Sequence, residues 1–227
     1  MDRSRVPNAR GHVPDAKQAT PSAAGPGSDV EGNPPDRPAA ARRFLGLDRA
    51  LTRSAASWKG LWASKVLPAV EESAEHTKLW LAAAAFLAVA GGRRGRRTAG
   101  SGLAGMWTGQ AIGGAAKYLW DRRRPPKHLI PNDQVEDRPD SSSFPSGHTA
   151  AAVAFTTSVA AVWPVAGVPC AALTAAIALE RIHSGAHYPS DVVVGAVIGF
   201  TGARLARHTT RLLNPRLGRI SSGCAAT

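Results

Sequence analysis

Apolar and polar positions divide this 227-residue chain into stretches of different kinds. Residues 1–43 contain almost no large aliphatic or aromatic side chains and hold seven of the seventeen prolines. Such a segment buries too little apolar surface to offset chain entropy, which predicts a disordered, basic, Pro-rich tail. Over residues 44–70, Phe44, Leu47, Leu51, Trp58, Leu61, Trp62, Val66 and Leu67 recur at helical spacings, with Asp48, Arg49, Arg53, Lys59 and Lys65 between them. This predicts an amphipathic helix ended by Pro68, Glu71 and Glu72. Its charges argue against a membrane span. Its Trp and basic residues suit a helix lying in the membrane interface, and packing on its own protein is the other reading.

From Leu79 onward the chain is apolar in short runs. Leu79 to Gly92 is followed by Arg93, Arg94, Arg96 and Arg97, then by a weakly apolar run from Thr98 to Trp120. The pattern predicts a helical hairpin with the arginines at its turn. Residues 149–163 and 164–179 are again apolar and meet at Trp163 and Pro164, and Asp191 to Ala206 is the last run. Gly105, Gly109 and Gly113 recur at intervals of four, as do Gly195 and Gly199. Glycines on one helix face let a second helix approach closely, a membrane-bundle habit that is poor in water. Each run is short against the roughly 20 residues of a span. The fold class expected is all-α: a membrane-embedded bundle of about five short transmembrane helices over 71–207, preceded by the 44–70 helix and followed by a basic tail over 208–227. A soluble all-α bundle is the alternative. The glycine-bearing faces also suit a homo-oligomer.

The positive-inside bias puts the Arg93–Arg97 turn in the cytoplasm. Counting crossings then places both 121–148 and 183–190 at the outer face of the plasma membrane. Charge sharpens this picture. Lys and Arg outnumber Asp and Glu by 28 to 16, which favours an anionic partner such as lipid headgroups or a phosphorylated substrate. Aromatic residues make up 6% of the chain and do not interleave with the basic ones, which argues against nucleic acid. The mean hydropathy of −0.15 averages a polar tail with an apolar bundle. Cys170 and Cys224 make neither a disulfide framework nor a zinc motif.

The residues gathered at the outer face carry a chemistry. Lys117, Arg124 and Arg181 are cations. Ser146 and Gly147 begin a helix after Pro145, where unpaired N–H groups and the helix dipole favour an anion. His187 lies four residues before Asp191, a spacing at which a carboxylate can fix the imidazole tautomer and leave the other nitrogen as a nucleophile. His148 can supply a proton to a leaving group. Together they suffice for phosphoryl transfer through a phosphohistidine, with the cations balancing the phosphoryl charge and no metal required. A lone histidine at a helix end is more often structural; the conjunction on one face is what favours chemistry. His183 and His187 are four apart, but no third zinc ligand accompanies them. Asp133, Glu136, Asp137 and Asp140 read as a solvated loop.

Three motifs carry a resemblance: Lys117, six residues, Arg124 and Pro125; Pro145, Ser146, Gly147 and His148; and Arg181, five residues, His187, three residues, Asp191. By these the chain resembles the type 2 phosphatidic acid phosphatase superfamily, bacterial membrane members above all, over residues 79–206. The resemblance implies that His187 is the nucleophile, Asp191 its orienting partner and His148 the leaving-group acid. Lys117, Arg124, Ser146, Gly147 and Arg181 would hold the phosphate. It implies a phosphatase without cofactor or metal, acting on a lipid phosphate or diphosphate: phosphatidic acid, phosphatidylglycerol phosphate or a polyprenyl phosphate. Glu180 stands where the family usually has Ser; an ion pair with Arg181 or Arg124 is expected of it. A vanadate-dependent haloperoxidase and a non-catalytic basic membrane protein are the competing readings. Small size and apolar helices count against the first, and the complete His148, His187 and Asp191 set counts against the second.

Overall fold

The computed structural model describes residues 38–74, 77–130 and 141–213, which form helices joined by short connections, with no strand among the described residues. In chain order these are α1 (Ala39–Ala56), a π-helical turn (Trp62–Val66) running into α2 (Leu67–Ala74), α3 (Lys78–Ala90), α4 (Gly92–Leu119), a 3₁₀ turn (Lys127–Leu129), α5 (Gly147–Val162), α6 (Pro164–His183) and α7 (Pro189–Leu213). The fold is therefore all-α. The Asp133–Asp140 acidic loop, the tail before Pro38 and the end of the chain beyond Leu213 lie outside the described residues.

The bundle centre is α4, α5 and α7, which pack on one another; α3 lies against α4 and α6 against α5. Small residues set these distances. A Cβ on Gly199 would sit 2.3 Å from the carbonyl oxygen of Ala150, so only glycine lets α7 approach the α5 backbone this closely. Gly102, Gly105, Gly109 and Gly113 of α4 are likewise buried inside the chain. The glycine faces expected to suit a homo-oligomer are thus already occupied by neighbouring helices of the same chain. Phe155, Met106, Val159 and Ile177 fill the remaining space, and the Trp80 and Phe155 rings meet at 4.8 Å.

Two local expectations need correcting. The four arginines do not form a turn. The α3–α4 reversal is made by Gly91 and Gly92, and the arginines occupy the first turns of α4. There Arg94 donates to the carbonyl of Val162 at 3.2 Å and lies over the Trp163 ring, tying the start of α4 to the α5–α6 turn.

The 44–70 helix is two helices, not one. The first starts earlier, at Ala39, and stops at Ala56, where Ser57 N–H closes onto the Arg53 carbonyl. The chain then turns through Gly60, which has φ +116°. The second runs on past Pro68 to Ala74. A wider turn precedes the proline, with Leu67 N–H bonded to the carbonyl of Trp62, five residues back. On α1 the buried stripe is Asp48, Thr52, Ala55 and Ala56, set against α6 and α7. Phe44, Leu47 and Leu51, the large apolar residues of the predicted stripe, are exposed.

Candidate active site

A cavity of about 420 Å³ opens where α4 and α6 end and α5 and α7 begin. It is lined by Lys117, Arg124, Gly147, His148, Arg181 and His187 among others. The α5–α6 hairpin is what brings the second and third motifs together: α5 leaves the site at Gly147 and α6 returns to it at Arg181. The four-arginine segment lies at the opposite end of α4.

Each side chain is placed by a helix end. Lys117 is in the last turn of α4. Trp120 is extended, and the chain then runs through Arg124 to Pro125 and Pro126, which cannot continue a helix. The guanidinium of Arg124 donates to the Ala186 carbonyl at 2.7 Å and to the Ser141 carbonyl at 3.2 Å. These bonds fix it beside the loop that carries His187. Arg181 is in the last turn of α6, and its Nε donates to the carboxylate of Glu180. The ion pair expected between Glu180 and Arg181 is thus present. Gly185, with φ +65°, turns the chain after α6, and His187 N–H then bonds to the Arg181 carbonyl at 2.9 Å.

Two of the expected site residues stand behind the cavity. Ser146 is fully buried and its hydroxyl caps α5, accepting from Thr149 N–H at 3.4 Å and meeting the Thr149 hydroxyl at 3.0 Å. Its side chain is spent on the helix start, which is the ordinary use of Ser at that position, and it does not line the cavity. The anion-facing part of this motif is Gly147 and His148. Asp191 is also fully buried. Its carboxylate lies 3.8 Å from His187 Nδ1, beyond a hydrogen bond.

The direct partner of His187 Nδ1 is the carbonyl oxygen of Ser143, at 2.5 Å. A carbonyl can only accept, so Nδ1 carries the proton and Nε2 keeps its lone pair. Asp191 organises this arrangement from behind. One of its oxygens accepts from the Ser143 hydroxyl and from Tyr188 N–H, both at 2.9 Å. The other accepts from Arg122 at 2.5 Å. His187 sits in the loop between α6 and α7 and is 3% exposed. Burial pushes its pKa below the ordinary histidine value, outweighing the pull of Asp191 and the Ser143 carbonyl in the other direction.

Sequence reasoning missed Ser143, Arg122 and Asp48. Arg122 also donates to the carboxylate of Asp48 at 2.7 Å and lies over the Tyr188 ring at 4.2 Å. Ser143 works through its main-chain carbonyl, which no side-chain pattern encodes. Arg122 was visible only as one of three successive arginines. Asp48 had a signal: it is an acid within an otherwise basic helix, next to an apolar stripe.

The cavity gathers His187 and His148 with three cations, Lys117, Arg124 and Arg181, a lining suited to an anionic group. The decaprenylphosphoryl-5-phosphoribose phosphatase of Mycobacterium tuberculosis is 39% identical over 131 residues, covering 56% of this chain and 69% of that protein. An undecaprenyl-diphosphatase of Sulfolobus acidocaldarius is 31% identical over 93 residues, covering 39% of this chain and 43% of that protein. Among solved structures, a transmembrane PAP2 type phosphatidylglycerolphosphate phosphatase from Bacillus subtilis superposes with a TM-score of 0.57 at 17% identity, over 76% of this chain and 88% of that one. Aquifex aeolicus LpxE superposes with a TM-score of 0.58 at 21% identity, over 72% and 94%. At these identities the structural likeness establishes the fold. With residues 98–214 matching the PAP2 superfamily, and all three motifs present within or beside the shared bundle, the chain belongs to the PAP2 superfamily.

Proposed function

We propose that this PAP2 member is a membrane lipid phosphatase that hydrolyses a polyprenyl-linked phosphate monoester at the outer face of the membrane. The observation that carries the reading is the cavity, whose lining gathers His187 and His148 with Lys117, Arg124 and Arg181, the Nδ1 of His187 being engaged by the Ser143 carbonyl. His187 attacks phosphorus as the P–O bond to the lipid alcohol breaks, and His148 gives the leaving oxygen a proton. Water, deprotonated by His148, then attacks the phosphohistidine, the P–N bond breaks and inorganic phosphate leaves. The three cations and the first turn of α5 hold the phosphoryl oxygens, where they stabilise the charge that builds up in both steps.

The choice of a lipid rests on the rest of the surface. Trp80, Ala151 and Ile177 give the cavity an apolar wall beside its cations. Phe86, Val89, Val165, Val168, Val193 and Val197 expose large apolar side chains on α3, α6 and α7. Outward-facing apolar surface on several helices fits a lipid surround. The α6 helix is long and apolar enough to span, while α3 and α5 are shorter. The exposed Phe44, Leu47 and Leu51 of α1 suit burial in the membrane interface. Arginines at the end of the bundle away from the site favour a cytoplasmic location for that end and an outer location for the cavity. A polyprenyl-linked substrate is preferred over phosphatidic acid or phosphatidylglycerol phosphate because of the 39% identity to a phosphatase of a decaprenyl-linked ribose phosphate.

The test is phosphate release in detergent with EDTA, from a panel of polyprenyl-linked phosphates, phosphatidic acid and phosphatidylglycerol phosphate. Turnover is expected to be fastest on the polyprenyl substrates. The His187→Ala variant is expected to lose about three orders of magnitude or more. A requirement for added divalent metal, or turnover that survives this substitution, overturns the mechanism.

A further inference from the structure

The strongest unassigned feature is a buried carboxylate that reaches the site from a helix outside the matched family region. Asp48 belongs to α1, whereas the family match covers residues 98–214. It is 4% exposed and does not line the cavity. One oxygen accepts from Ser190 N–H at 3.0 Å, and the other accepts from the Ser190 hydroxyl at 2.5 Å and from Arg122 at 2.7 Å. Ser190 is in the first turn of α7, so Asp48 caps that helix from another element and complements its dipole.

Arg122 is thereby clamped between two carboxylates. One nitrogen of its guanidinium points at Asp48, and the other at Asp191 and the Ser190 hydroxyl. From there the bonding is continuous: Asp191 accepts from the Ser143 hydroxyl, and the Ser143 carbonyl accepts from His187 Nδ1. We propose that Asp48 is a positioning residue for the nucleophile, fixing His187 through Arg122, Asp191 and Ser143. This rests on the phosphatase reading for its effect on turnover, but not for its effect on anion binding.

Two arguments separate this from a simple anchor for α1. That helix already has its own attachments: the His183 ring bonds to the Ala55 carbonyl at 2.8 Å, and Thr52 and Ala56 are buried. A buried carboxylate is also an expensive way to hold a helix, since apolar contact would serve without desolvating a charge. What a carboxylate adds is direction. With Asp48 removed, Arg122 keeps one anionic partner instead of two and can swing, taking the Asp191 carboxylate and the Ser143 carbonyl with it.

The test compares Asp48→Asn and Asp48→Ala with Thr52→Val, which alters the same buried face of α1 and leaves the carboxylate in place. The purified proteins are assayed on a polyprenyl phosphate, and their affinities for orthovanadate and inorganic phosphate are measured by calorimetry. Vanadate takes up the five-coordinate geometry of the attacked phosphorus and so reports on His187 placement; inorganic phosphate reports on the cations alone. Both Asp48 variants are expected to lose about tenfold or more in kcat per folded molecule, with KM within about twofold. Vanadate is expected to weaken about tenfold while phosphate stays within about twofold, and Thr52→Val is expected to match wild type in all four. The Asn variant keeps the shape of the side chain and serves if the Ala variant does not fold. A wild-type kcat and wild-type vanadate affinity in folded Asp48→Asn overturns the proposal. If the wild-type protein hydrolyses no lipid phosphate, the phosphatase reading fails, and the vanadate-to-phosphate ratio still decides whether Asp48 positions His187.

Discussion

His187 Nδ1 lies 2.5 Å from the carbonyl oxygen of Ser143. The ring proposed as the nucleophile is held by a main-chain carbonyl, and the carboxylate four residues away acts at one remove. The Ser143 hydroxyl, bonded to Asp191 at 2.9 Å, is what joins the two. Replacing Ser143 with Ala keeps the carbonyl and removes that link. A hydrogen bond to a charged group is worth about 1.5–3 kcal/mol, and only part of it bears on the placement of the ring, so kcat should fall about tenfold with KM little changed. Steady-state kinetics of Ser143→Ala beside Asp191→Asn check this. A Ser143→Ala enzyme with wild-type kcat would show that Asp191 acts without its serine.

Burial lowers the His187 pKa, so the ring keeps its neutral form into more acid solution than an ordinary histidine does. A histidine-labelled NMR titration in detergent micelles should place the His187 midpoint below 6.5. Asp191 attracts the imidazolium, so Asp191→Asn should move the midpoint further toward acid. A midpoint at or above 6.5 in the wild type, or an upward move in the variant, contradicts this account of the ring's environment.

The three motifs were legible in the sequence because each is fixed to a helix end. Once the apolar runs are read as helices, Lys117, His148, Arg181 and His187 have nowhere to be but at one end of the bundle. The helices themselves were legible from apolar runs and from glycine spacing. What the pattern did not carry was the second layer. Ser143 contributes a carbonyl that any residue could supply. Asp48 is 74 residues from Arg122 in sequence, and nothing local to either announces the pair. Ser146 is placed at a helix start by its motif, but the motif does not say that its hydroxyl caps α5 through Thr149. The 44–70 helix was read as unbroken because periodicity tolerates a short interruption. Its break lies at Ser57 to Gly60, where the positive φ of Gly60 turns the chain.

Packing at Gly199 gives a prediction about stability. Its Cβ position is 2.3 Å from the Ala150 carbonyl oxygen, which is backbone and cannot rotate away. In Gly199→Leu, α7 must withdraw from α5, and both helices carry site residues at their starts. Thermal melting in detergent should show a large loss, with activity falling in parallel; overpacking of this kind costs about 1–3 kcal/mol or more. Gly100, in α4 and with open space around its Cβ position, is the control. Gly100→Ala should be neutral or stabilising by up to about 1 kcal/mol, the helix-propensity difference. Equal melting temperatures for Gly199→Leu and wild type would rule out the close α5–α7 approach.

Glu180 supplies the sharpest test of how charge is balanced around the phosphate. It is 1% exposed and its carboxylate accepts from Arg181 Nε. Two effects compete when it is replaced. The carboxylate aims the guanidinium, which favours phosphate binding. It also cancels part of the positive charge at the proposed phosphate site, which opposes binding. The two can be separated by choice of variant. Glu180→Gln keeps an oxygen acceptor at the same reach, so the guanidinium stays aimed while the cancelling charge goes. At the effective dielectric of a partly wet site, a unit charge several ångströms away is worth about 1 kcal/mol, so inorganic phosphate should bind about fivefold more tightly. Glu180→Ser removes the acceptor as well as the charge. Arg181 then loses its direction, and the gain from Glu180→Gln should be reduced or reversed. Inhibition constants for inorganic phosphate measure both, and raising the ionic strength should shrink the Gln effect more than the Ser effect. If Glu180→Gln weakens phosphate as much as Glu180→Ser does, aiming dominates and charge balance is minor. If both tighten it equally, the ion pair has no role in directing Arg181, and the family's usual serine would serve this protein as well as its glutamate.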